Sequence, residues 1–169
     1  MSSLIALSLS IGVLGGIATF VFLKFLTSYL IWAAFIAWAC YFHCGGNTEA
    51  LKKTIIGNLF GAVCAWIAGL LLVTVAPAGE ASAAVVVGVT VMLMCLAAHL
   101  PPFSTIPASV YGYASVFAFL LGNASVNLTK DALTAASPAN ALVAVGVSML
   151  IGALFGFASG KMGAALTKK

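Results

Sequence analysis

Apolar residues occupy this chain in long, almost unbroken blocks separated by short polar stretches, with no face kept polar as a soluble amphipathic helix would require. A helix rises about 1.5 Å per residue and a bilayer core is about 30 Å thick, so roughly 20 apolar residues cross it. On that ruler residues 4–23 predict a first crossing, stopped by Lys24. Residues 29–42 form a second block of only about 21 Å, ended by the polar run from His43 to Glu49. The third block, 54–75, follows Lys52 and Lys53 and carries Asn58 with Gly57, Gly61 and Gly69, whose missing side chains permit close helix approach. A turn at 76–80 leads to a fourth block, 83–100, which contains His99 and is halted by Pro101 and Pro102, neither of which can donate to a helical ladder.

A helix restarts where Ser104 and Thr105 precede Pro107, the order of a polar cap and a first-turn proline. This fifth block, 107–121, is again short. Residues 123–138 form the longest polar loop, and 140–159 predict a sixth crossing before Lys161, Lys168 and Lys169. The expectation is an all-α polytopic membrane protein, a single membrane domain over 1–169 with six transmembrane helices, of which the second and fifth are short.

Composition agrees, with 63% apolar and 6% charged residues, against roughly 25% charged in a soluble domain. There is no arginine, and seven lysines face only Glu49, Glu80 and Asp131. No basic face exists for nucleic acid. The start, Met1-Ser2-Ser3, lacks a basic region and the block after it is long for a signal sequence, so it reads as the first crossing. With both termini cytoplasmic, Lys52, Lys53, Lys161, Lys168 and Lys169 lie inside and Lys24 and Lys130 outside, as the positive-inside rule favours.

Two phrases repeat. Residues 61–69 and 152–160 both read G-A-x-x-small-aromatic-x-x-G, and residues 29–42 align with 108–121, pairing Trp32 with Tyr111 and Trp38 with Phe117. This predicts a duplication, repeat one about 1–76 and repeat two about 82–165. Three crossings per repeat is an odd number, so the copies would be inverted, a plan whose functional sites lie at the repeat interface near the midplane. Paired short segments mark such a site, and their N-terminal dipoles would approach from opposite faces.

Two stretches carry a family likeness: residues 32–46 (WAAFIAWACYFHCGG), and 103–118 with the pattern F-x-x-I-P-x-x-x-x-G-x-A-x-x-F-A. They resemble the YcdZ-like bacterial inner-membrane proteins, a small family grouped under a domain of unknown function. The likeness runs from the first block to the sixth. It implies a bacterial inner-membrane location and carries over no catalytic residue.

For a path or gate the sequence offers Trp32, Trp38, Tyr111, Tyr113 and Phe117 in the short segments, where deep aromatics can form a constriction. Asn58, Ser115, Ser148 and Thr90 are uncharged polar groups at membrane depth, Ser104, Thr105 and Pro107 stand at one helix entrance, and His43 and His99 stand at helix ends. The spacing of Cys40, His43 and Cys44 puts them on one helical face, where a soft metal is a minor alternative to packing. No Asp, Glu or Lys lies well inside a predicted crossing, which disfavours ion-coupled transport. No phosphate loop, acidic pair or catalytic triad is present, so no enzymatic activity and no cofactor are expected. The leading expectation is a channel or facilitator for a small uncharged or weakly polar solute, embedded in the lipid bilayer as a homo-oligomer. The alternatives are a non-transporting scaffold or accessory subunit and a metal-handling membrane protein.

Overall fold

Asn47 shows how these helices are bounded. Its Oδ1 accepts a hydrogen bond from the Ala50 amide at 2.8 Å, and Glu49 adds negative charge to the first turn. The helix therefore begins at Thr48, a full turn and a half before the apolar block, and takes Lys52 and Lys53 into its first turns. Apolar blocks record where a chain suits lipid, whereas caps decide where the helix stops.

The computed structural model describes residues 1–167, and Lys168 and Lys169 lie outside the described residues. The chain is helical throughout, with no strand among the described residues: α1 Ser3–Lys24, α2 Ile31–His43, α3 Thr48–Thr74, α4 Glu80–Leu96, α5 Ile106–Gly122, the short α6 Ala124–Asn127 and α7 Lys130–Thr134, and α8 Ala141–Leu166. The polar loop 123–138 thus contains two helical turns. The last helix runs beyond Ser159 through Lys161, whose ammonium lies 5.4 Å from the Phe157 ring. α4 gives way to 3-10 turns at Ala97–His99 and Pro101–Phe103, where the proline pair ends regular pairing. Pro107 occupies the first turn of α5 as expected, but Thr105 makes no side-chain cap.

Four helical stretches are long and apolar enough to cross a membrane: Ser3–Lys24, Thr48–Thr74, Glu80–His99 and Ala141–Leu166. α2 and α5 have 13 and 17 residues, which at 1.5 Å per residue gives about 20 and about 26 Å. The large apolar side chains exposed on α1 (Leu9, Val13, Phe20) and α4 (Val85, Met92, Leu93) suit contact with lipid chains, which are as apolar as leucine.

Four helices form the centre, in two intimate pairs, α3 on α5 and α2 on α8. Glycine makes both contacts. Gly61 lies against the Ser109 carbonyl, Gly112 against the Asn58 carbonyl, and Gly152 against the Ala34 carbonyl, so close that a Cβ at any of them would overlap the oxygen. Farther along, Gly69 meets Leu120 and Gly156 meets Trp38 and Tyr41, so each pair runs parallel. α2 and α5 run antiparallel, because His43 at the end of α2 bonds Tyr111 near the start of α5. α1 packs on α8, Ser10 Oγ donating to the Ser159 carbonyl, and α4 packs on α3.

Candidate functional site

The two short helices meet side by side, and between them lies a groove of about 420 Å³. Trp32, Ile36 and Ala39 line it from α2, and Tyr111, Ala114, Ser115 and Ala118 from α5. Its walls are aromatic at Trp32 and Tyr111 and its floor is small. Tyr111 OH and His43 Nδ1 are 2.7 Å apart, with the rings edge to face at 5.7 Å. This bond ties the exposed end of α2 to the start of α5. Ser115 Oγ is buried and has no hydrogen-bond partner.

Of the residues proposed from sequence, the groove brings together Trp32, Tyr111 and Ser115, with His43 on the Tyr111 hydroxyl. Trp38 lies elsewhere. Its indole donates to Ser159 Oγ at 2.8 Å and its ring stacks between Phe35 and Phe155, which fixes α2 to α8. Tyr113 shares a 2.8 Å hydrogen bond with Thr90 and stacks on Phe117, joining α4 to α5. Ser148 Oγ accepts from the Leu30 amide at 2.8 Å, so α8 caps the first turn of α2. Ser104 Oγ donates to the Pro101 carbonyl at 2.9 Å, Thr105 and Pro107 begin α5, and His99 closes its 3-10 turn; none of these lines the groove. Cys40 and Cys44 hold their sulfurs 3.9 Å apart, but His43 turns to Tyr111 instead of joining them. Among the described residues no three His, Cys, Asp or Glu side chains form a group suited to a metal ion.

Asn58 does not touch the groove, yet it is near. Its backbone carbonyl abuts Gly112, which follows Tyr111 and precedes Ser115 by one turn. Its side-chain amide is buried with neither Oδ1 nor Nδ2 paired. Ser109 on α5 is likewise buried and unpaired, Thr54 on the same helix as Asn58 is buried beside the Cys40 thiol, and sequence reasoning did not single them out. The signal available was spacing: Thr54, Asn58 and Gly61 recur at helical intervals on α3, and Ser109, Gly112 and Ser115 do so on α5.

The two short helices carry the same burial pattern. Each of the six buried residues of α2 has a buried counterpart 75 positions on in α5: Ala33 and Ala108, Ala34 and Ser109, Ala37 and Gly112, Trp38 and Tyr113, Cys40 and Ser115, Tyr41 and Val116. The sequence alignment that pairs Trp32 with Tyr111 is displaced from this register by four residues, about one helical turn. Gly61 and Gly152, the first glycines of the repeated phrase, each meet a backbone carbonyl of the neighbouring short helix.

A family model described as "Protein of unknown function (DUF1097)" matches residues 8–164. No curated protein and no solved structure matches the chain.

Proposed function

The chain belongs to the DUF1097 family of proteins of unknown function, and from that premise we propose that it is a membrane channel or facilitator for a small uncharged or weakly polar solute. The observation that carries the proposal is the uncharged groove between α2 and α5, aromatic at Trp32 and Tyr111 and lined by Ile36, Ala39, Ala114, Ser115 and Ala118. A lining without formal charge suits a neutral solute, since an ion would need a counter-charge at that depth. The charged side chains Lys24, Glu49, Lys52, Lys53, Glu80, Lys130 and Asp131 all stand in the first or last turns of helices or close to them.

The proposed architecture is six crossings in two inverted repeats, α1–α3 and α4, α5 with α8. Its supports are the coincident burial in α2 and α5, the antiparallel relation of those two helices, and the matching glycine contacts of α3 on α5 and α8 on α2. The groove then lies on the axis relating the repeats, where Ile36 corresponds to Tyr111 and Ala39 to Ala114. The same reading places the protein in a bacterial inner membrane, related to the YcdZ-like proteins through residues 32–46 and 103–118, as a homo-oligomer with both termini cytoplasmic. A reporter placed in the 123–138 loop should be external. A cytoplasmic loop would refute the inverted arrangement.

Purified protein in liposomes tests the function. Stopped-flow shrinkage with water, urea, acetamide, glycerol, short acids and ammonia should reveal at least one solute entering faster than in protein-free vesicles. Identical rates across the whole panel would refute the facilitator and leave the scaffold reading.

A further inference from the structure

We propose that Cys40 and Cys44 form a two-coordinate site for a soft monovalent cation, copper(I), at the end of α2, separate from the groove and independent of the facilitator reading. Both cysteines are free, and their sulfurs lie 3.9 Å apart. A metal–thiolate bond is about 2.3 Å long, so one ion shared by two sulfurs holds them at most about 4.6 Å apart, and closing on it moves the side chains by less than about 1 Å. The ion needs no preformed cavity, and no contact between helices has to part.

Access follows the end of the helix. Cys40 is fully buried, but Cys44 is only half-buried and caps the last turn of α2. Beyond it the chain turns through Gly45 and Gly46, both at positive φ, towards the Asn47 cap of α3. An ion arriving from water meets Cys44 first and then Cys40, one turn deeper on the same helical face.

The neighbouring hydroxyl favours ionised sulfur. A hydroxyl within a helix has an easy partner in the carbonyl one turn back, and Thr19, Thr74 and Thr90 use it. Thr54 does not; its buried side chain lies beside the Cys40 thiol. A hydroxyl donating to sulfur gains most when that sulfur is a thiolate. Lys52 and Lys53 precede Thr54 on α3, so cations stand at this end of the bundle. Copper(I) displaces the two thiol protons, which leave to water, and the bis-thiolate complex carries one negative charge where two bare thiolates would carry two.

The donor set selects the metal. Soft thiolates favour copper(I), whereas zinc takes three or four protein ligands. No third His, Cys, Asp or Glu among the described residues completes such a group, and His43, the nearest in sequence, is engaged with Tyr111.

Anaerobic titration of the reduced protein in detergent, with copper(I) supplied from a chromophoric copper(I) chelator, tests the site. The wild type should withdraw one equivalent per chain, and zinc(II) under the same conditions should not bind. Cys44→Ala should lose that equivalent. Cys64→Ala with Cys95→Ala should keep it, since Cys64 lies about 15 Å farther along α3 than Thr54. Thr54→Val should bind about tenfold more weakly at unchanged stoichiometry, the effect of removing a group that supports a ligand. A wild type that withdraws no copper(I), or a Cys44→Ala variant that withdraws as much, would overturn the proposal. If Cys44→Ala does not yield folded protein, labelling of the wild type by a maleimide carries the test: bound copper(I) should protect Cys44, and equal labelling with and without the metal overturns the site.

Discussion

Gly152→Val should abolish recovery of folded protein, and Gly61→Val and Gly112→Val should do the same. At each position a Cβ would overlap a backbone carbonyl oxygen of the facing helix, that of Ala34, Ser109 or Asn58. A flexible side chain can swing away from such a clash; a carbonyl held in a helical ladder cannot. The helices must separate instead, which opens the α2–α8 or α3–α5 contact along much of its length. Overpacking of a well-packed core typically costs 1–3 kcal/mol, and overlap with backbone falls at or above about 3 kcal/mol. That is a large part of a typical total stability of about 5–15 kcal/mol. Gly12, Gly16 and Gly88 provide the control, because a Cβ there meets nothing within 4 Å. Gly16→Ala should be neutral or raise stability by up to about 1 kcal/mol through helix propensity. Monodispersity and melting temperature in detergent read both effects. Equal behaviour of Gly152→Val and Gly16→Ala would refute the packing account.

The helical class and the approximate place of every long helix were legible in the apolar blocks, because lipid selects for long continuous runs. Boundaries were less so. Asn47 begins α3 and Lys161 is carried inside α8, and both lie in polar sequence that a hydropathy ruler reads as connection. The repeated glycine phrase was the best guide to packing, since Gly61 and Gly152 make equivalent contacts. The sequence alignment of the short helices, anchored on Trp32 and Tyr111, differs by a turn from the register in which their buried residues coincide. Packing is anchored on the small residues Ala34, Ser109 and Gly112, whose counterparts differ in kind.

Aromatic residues were the harder part of the site. Trp32 and Trp38 look alike in sequence, but only Trp32 faces the groove; Ser159, far away in the chain, captures the indole of Trp38. Thr54 and Ser109 went unnoticed for a related reason. A hydroxyl in a helix ordinarily bonds to its own backbone, and only the folded arrangement shows that these do not.

The central claim is that solute passes along the groove between α2 and α5. Ala114 lines that groove and has a small side chain, so Ala114→Cys should fold. In a chain whose Cys40, Cys44, Cys64 and Cys95 are replaced by alanine, the new thiol is the sole target for a small water-borne methanethiosulfonate reagent. The groove is about 420 Å³, and the attached group adds bulk beside Ser115 and Tyr111, where the path is bounded by aromatic walls. The decisive measurement is solute flux through fully modified Ala114→Cys protein in liposomes, compared with the same protein after the adduct is reduced away. The account predicts a fall of about tenfold or more on modification, equivalent to at least about 1.4 kcal/mol in the barrier, and recovery on reduction. Flux that is unchanged when every thiol carries the adduct would contradict it.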